Sequence, residues 1–374
     1  MQVVCSAAIV SANIFSTTSR DDPSPADTEV PELPEPTLKD VAALAGVSPR
    51  TVSNVVNGYV HVAAATRAKV EAAIQELDYR PNILARNLAS GRSGQIAVVI
   101  PYLDTPYFSE LLQAIIPRAR HRGFNVLIDQ TDGDPAHEAE LIRRRPRGFA
   151  YDGMIFSPLG LAQADLSQRD PDLPLVVLGE RSSDGEFDHV GIDDVAAARD
   201  AVDHLISLGH RRIAAIGDQP YRTGEAAQRR TAGYRQAHEH AGLPVDDSLV
   251  IVTPRFNRVD GAEAMGHLLD REDPPTAVFA YSDLVALGAI RTILQRGLRV
   301  PEDVAVIGYD DIEDGRYNTP TVSTIAPDKA GIAAAAVDRL LERIDSGNDL
   351  PGKEIVCPYR LVPRESTVGP VTPD

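Results

Sequence analysis

Apolar and polar positions change their period twice along the chain, and the changes divide it. Residues 1–36 keep no sustained period. Pro23, Pro25, Pro31, Pro34 and Pro36 alternate with acids there, a composition that predicts a disordered arm. From Thr37 the apolar positions recur at helical spacing. Thr37 caps a predicted helix over 38–45, which Gly46 stops. Ser48 caps a second that opens on Pro49, where a missing N–H costs nothing, and runs to about Val56 before Asn57-Gly58. A third covers 66–77, and Asn82 and Gly91 bound a short fourth segment, too short to be stable in water alone. Two short helices about a glycine turn with a third behind make a helix-turn-helix layout.

From Gln95 the pattern becomes apolar runs alternating with amphipathic stretches. Runs at 96–100, 124–128, 153–156, 175–178, 213–216, 249–252, 277–279 and 304–307 predict strands; 107–122, 194–208, 227–241, 260–270 and 284–296 have helical spacing. Strands alternating with helices imply parallel sheets covered on both faces. About 280 residues is large for one such sheet, so two lobes are expected, with a ligand cleft between them at the carboxyl ends of the strands.

Charge sharpens this division. Of the formal net charge of −17, residues 1–36 hold −5, residues 37–94 hold +3 and the remainder −15. A small basic module on an acidic body points to nucleic acid, with the body kept away from the phosphates. The two cysteines, Cys5 and Cys357, exclude a disulfide framework and a cysteine-rich zinc site. The apolar runs fall far short of a membrane span, and 3–15 has no basic residue before it, which argues against an export signal. The chain lacks a G-x-x-x-x-G-K-[ST] loop, an H-E-x-x-H pair and a G-x-S-x-G elbow, so no enzyme class is indicated and neither cofactor nor metal is expected.

Several motifs in order resemble the LacI-type (lactose/galactose repressor) family of bacterial transcriptional regulators. They are Thr37-Leu38-Lys39-Asp40-Val41-Ala42, Gly46-Val47-Ser48, Thr51-Val52-Ser53-Asn54-Val55-Val56-Asn57-Gly58, Leu208-Gly209-His210-Arg211-Arg212-Ile213, Ile307-Gly308-Tyr309-Asp310-Asp311 and Leu361-Val362-Pro363-Arg364-Glu365-Ser366-Thr367. The resemblance implies an N-terminal all-α helix-turn-helix DNA-binding domain plus an α/β periplasmic-binding-protein-like body of two doubly wound parallel-sheet lobes. The expected division is an arm over 1–36, the DNA-binding domain over 37–81 and a hinge helix over 82–94. It continues with a first lobe over 95–193 and 300–329, a second over 194–299 and 330–367, and a tail over 368–374. The chain departs from the family at Thr105-Pro106-Tyr107-Phe108, at Ala63 where a serine cap is usual, and in lacking C-terminal leucine heptads, which argues against a coiled-coil tetramer.

The first turn of a recognition helix faces base edges in the major groove, which assigns base reading to Pro49, Arg50 and Asn54. By resemblance, Thr37, Ser53, Asn57 and Thr66 position phosphates; His61 is assigned to the DNA backbone. Ala42, Val47, Val52 and Val55 are candidate core. The resemblance makes Asn82, Ala85 and Leu88 the minor-groove hinge, with Leu88 wedged into a central base step. It also makes Arg230, Phe256 and Asp283 the effector site, joined by Tyr107, Phe108 and Asp310 from the first lobe. The implied function is a cytoplasmic, nucleoid-associated homodimer that represses from a palindromic double-stranded operator and is released by a small-molecule effector, a sugar or sugar derivative. Two alternatives stay open: a sugar-binding protein without a DNA role, and a DNA-binding regulator controlled by a protein corepressor.

Overall fold

The computed structural model describes residues 36–56, 59, 61–79, 92–143, 151–179, 185–221 and 224–370. It divides the chain into two compact units, Met1–Ile83 and Leu84–Asp374.

The small unit contains α1 (Leu38–Ala45), α2 (Pro49–Val56) and α3 (Ala64–Glu76). The Thr37 backbone N–H and hydroxyl both donate to the Asp40 carboxylate, at 2.8 and 2.7 Å, closing the start of α1. Gly46 ends it in the left-handed conformation, with φ +64°, which lets Val47 N–H reach back to Ala42 O. The Ser48 hydroxyl accepts the Thr51 N–H and caps α2. Ala64 and Ala65 extend α3 two residues beyond its expected start. Val41, Ala42, Val52, Val55, Val70, Ala73 and Tyr79 form the core; each fully buried valine contributes roughly 1.5–3 kcal/mol. Val47, a candidate core residue, is only half-buried.

Among the described residues, the large unit has two six-stranded sheets. The first is ordered β11-β5-β4-β3-β1-β2, from β1 (Gln95–Ile100), β2 (Asn125–Gln130), β3 (Gly153–Phe156), β4 (Leu175–Leu178), β5 (Asp188–Gly191) and β11 (Glu354–Val356), all parallel. The second is ordered β12-β10-β9-β8-β6-β7, from β6 (Ile213–Asp218), β7 (Val250–Val252), β8 (Ala277–Ala280), β9 (Ala305–Tyr309), β10 (Ser323–Pro327) and β12 (Tyr359–Val362). It is parallel except at β12.

This order reverses part of the expected division. Residues 300–329, expected in the first lobe, supply β9 and β10 to the second, where Ala305 pairs with Ala277. Residues 330–356, expected in the second, return to the first. The helix Lys329–Asp345 packs Ile332, Ala336, Val337 and Leu340 against Ile96, Val98 and Ile115, and β11 extends the first sheet beside β5. Arg343 seals the return by donating to the fully buried Asp188 at 2.6 Å. Apolar runs identify strands but carry no record of which sheet receives them.

The chain therefore passes between the lobes three times: at 192–193, at Asp328 and at Cys357-Pro358. The passages are bonded to one another. Cys357 N–H donates to Gly191 O at 2.7 Å and Asp328 N–H to Pro358 O at 3.0 Å. No helix among the described residues is long and apolar enough to cross a membrane.

Candidate functional site

In the small unit, burial of Val52 and Val55 turns the opposite side of α2 outward. Pro49 and Arg50 stand exposed in its first turn, and Asn54 and Ser53 are half-buried. The Asn54 carbonyl accepts the Tyr59 N–H at 2.8 Å, which fixes the exit of the helix. His61 is exposed and meets the Tyr59 ring edge-on, centroids 5.4 Å apart. Thr66 is half-buried in the first turn of α3, and Arg67 donates to the Tyr59 carbonyl at 2.8 Å. Thr37 donates its N–H and its hydroxyl to Asp40, and these bonds hold the carboxyl below the usual carboxylate range. Asn57, Asn82, Ala85 and Leu88 lie outside the described residues.

In the large unit, the loops after the strands of both sheets line a cavity of about 690 Å³ between the lobes. Tyr107 and Phe108 enter from the helix Pro106–His121 of the first lobe, their rings edge-to-face at 5.3 Å. Arg230 enters from the helix Glu225–His240 of the second. Its Nε donates to Asp194 at 3.1 Å, Nη1 donates to the Tyr281 carbonyl, and the guanidinium lies 3.8 Å from the Tyr309 ring centroid. Tyr309 also donates its hydroxyl to Asp194, at 2.7 Å. The arginine is thus held flat and charge-paired, with Phe256 5.7 Å from its carbon Cζ.

Two expectations change. Asp310 lines the cleft but belongs to the second lobe, at the end of β9, where it holds φ at +108°. Asp283 does not reach the cleft surface. It is fully buried; its carboxylate accepts from the Thr324 hydroxyl at 2.7 Å and the Ile312 N–H at 2.9 Å. Gly308 admits it, since a Cβ there would stand 2.2 Å from Asp283 Oδ1. Burial, then the nearby Asp310 charge, pushes this carboxyl well above its ordinary range. Asp283 therefore supports Ile312, which does line the cleft.

The lobes also touch directly. Glu110 accepts the Glu313 N–H at 2.9 Å, Lys329 beside it in the first lobe donates to the Asp311 carbonyl at 3.1 Å, and Arg255 lies 4.9 Å from the Tyr102 ring centroid. Sequence reasoning missed Asp194, Tyr309, Glu110, Lys329, Tyr102 and Arg255. Tyr309 carried a signal, as part of the motif Ile307-Gly308-Tyr309-Asp310-Asp311, and Asp194 as the first residue of a predicted helix.

The chain matches two family models: bacterial regulatory proteins of the lacI family over residues 37–82, and a periplasmic binding protein-like domain over 202–367. It is 37% identical over 339 residues to the HTH-type transcriptional regulator DegA of Bacillus subtilis, spanning 88% of this chain and 98% of that one. The chain belongs to the LacI family. This LacI-family chain is also 36% identical over 312 residues to the ribose operon repressor of Escherichia coli, spanning 82% and 93% of the two chains. Among solved structures it is similar to the Lac repressor dimer bound to operator and an anti-inducer, with TM-score 0.75, 30% identity, and 88% and 98% of the two chains covered. The chain is a helix-turn-helix transcriptional regulator whose body has the periplasmic-binding-protein-like fold.

Proposed function

We propose that the protein represses transcription as a cytoplasmic, nucleoid-associated homodimer on a palindromic operator, and that a sugar or sugar derivative bound between the lobes releases it. The observation that carries this reading is the cleft. It has the volume of a small-molecule site and is walled by Tyr107, Phe108 and Phe256, which suit an apolar sugar face. At its back stands Arg230, whose neutralisation by Asp194 favours an uncharged ligand with hydroxyls over an anion.

In the DNA-binding unit, Arg50 is the base-reading residue, with a guanidinium able to donate to guanine O6 and N7 together. Pro49 before it and Asn54 one turn on complete the base-reading set. Thr37, Ser53, Asn57, His61 and Thr66 contact the backbone and fix register. Asn82, Ala85 and Leu88 form the hinge that enters the minor groove. Effector binding changes the lobe angle, and lobe angle sets whether the two hinge segments can order on DNA; the operator affinity moves only by the effector's preference for one state.

The test is selection of bound duplexes from random sequence, with and without sugars. The expected result is a palindrome enriched without sugar and lost with one of them. Absence of any preferred palindrome overturns the DNA reading; a palindrome indifferent to every sugar but sensitive to a protein partner overturns the effector reading.

A further inference from the structure

The first lobe buries a carboxylate, that of Glu138, against loops of the cleft. Glu138 sits in the first turn of the helix Pro135–Arg143, on the same face as Ile142 four residues on, and both are fully buried. A glutamate on an apolar face is costly unless its oxygens are bonded. Here every bond points at the cleft loops. Oε1 accepts the Leu159 N–H at 2.9 Å and the Thr131 hydroxyl at 3.0 Å; Oε2 accepts the Gly160 N–H at 2.8 Å and the Leu161 N–H at 3.0 Å.

Three consecutive backbone donors converge on this one group. They belong to the loop after β3, whose Ser157, Leu159 and Gly160 line the cleft. Thr131 belongs to the loop after β2, whose Gly133 lines it too. The two loops are pressed together at Gly160, where a Cβ would meet Gly133 O at 2.5 Å and Pro135 N at 2.8 Å. The helix that carries Glu138 is itself fixed at this point, since Asp134 Oδ1 accepts the Ala136 N–H and Asp134 O accepts the Glu138 N–H, both at 2.9 Å. The carboxylate gathers three successive amides of one loop, and hydrogen bonds to a charged acceptor are the strong ones.

We infer that Glu138 is a positioning residue for effector recognition: it sets the shape of the first-lobe ligand loop at 157–161 without touching the ligand. The inference rests on the effector reading of the cleft. It goes beyond it in assigning first-lobe specificity to a residue outside the pocket wall.

The test is Glu138→Gln in the full-length protein, because the amide keeps the size and one acceptor but turns an N–H₂ group toward N–H donors. Amide hydrogen exchange at 159–161 is expected to rise about tenfold, with β1, β3 and β4 unchanged. D-Ribose and cellobiose serve as probes by thermal shift. Whichever stabilises the wild type is expected to bind the variant about tenfold more weakly, with operator affinity in the absence of sugar unchanged. Thr131→Val is the control, since it removes a donor to Glu138 while leaving the three amides bonded; it should lower stability and leave both readouts in place.

Unchanged exchange at 159–161 overturns the inference. So does a rise shared equally by β3 and β4, which marks a purely structural role, or unaltered affinity for a probe that binds the wild type. If neither probe stabilises the wild type, ribose and cellobiose are excluded as its effectors, and the exchange measurement by itself upholds or overturns the role of Glu138 in holding the loop.

Discussion

Arg230 and Asp194 come from different helices of the second lobe, and the guanidinium Nε donates to the Asp194 carboxylate at 3.1 Å with both side chains less than a tenth exposed. Asp194 opens the helix Asp194–Ser207, just beyond the first passage between lobes. The cleft-lining arginine is therefore anchored beside the joint between the lobes.

Arg230→Lys keeps the charge and loses the planar fork that meets Asp194, the Tyr281 carbonyl and the Tyr309 ring together. Operator binding without effector should persist, and the effector response should fall about tenfold or more. Asp194→Ala instead strands a buried cation and should cost roughly 3–5 kcal/mol of stability. Thermal denaturation and effector titrations of operator binding separate the two outcomes.

Asp283 gives a prediction with a definite sign in pH. Burial raises its folded-state pKa, so the folded protein holds a proton that the unfolded chain has lost. The stability from that proton is complete below the unfolded value, about 3.9, and drains away as pH climbs toward the raised folded value. Asp283→Asn can still accept the Ile312 N–H and removes the titration. Its melting temperature relative to wild type should improve by a few degrees between about pH 5 and about pH 8, the scale on which about 1 kcal/mol acts in a body this size. A pH-independent difference would sink the assignment.

Three histidines act in the opposite window. Burial lowers the pKa of His204, His210 and His238, with the His210 charge adding to the effect at His204. Each folds neutral, so stability is complete above the unfolded value near 6.5 and is lost as pH falls through the lowered folded values. Urea midpoints should drop between about pH 7.5 and about pH 5.5. His238→Gln, which can still donate to the Tyr234 carbonyl that His238 Nδ1 meets at 2.9 Å, should flatten that slope.

Arg50→Ala should relax base preference at one position in each half-site, by about 1–3 kcal/mol. Binding measured across a panel of single-base operator variants checks this. Uniform weakening over the whole panel would make Arg50 a phosphate contact instead.

What the sequence disclosed, and what it withheld, follows from how far each feature reaches along the chain. Caps, the Gly46 turn and the core valines of the small unit are local, and they were legible. Tyr107, Phe108, Phe256 and Arg230, which the resemblance placed at the effector site, do line the cleft. Asp283 was misplaced because its burial depends on Thr324 and Ile312, 41 and 29 positions away. Glu138 passed unnoticed although its spacing to Ile142 put a charge on an apolar face. The lobe boundaries failed at 300–329 and 330–356 because sheet membership is decided by pairing partners, which hydrophobic periodicity does not encode.

The triple passage between the lobes has a mechanical consequence. One covalent tether would act as a free swivel, whereas three side by side, stitched by Cys357–Gly191 and Asp328–Pro358 bonds, form a flat strap that flexes about one axis and resists wobble about the others. Closure is thereby channelled along a single path, and a proteolytic nick in one strand of the strap should leave the halves attached while blurring the transmitted signal.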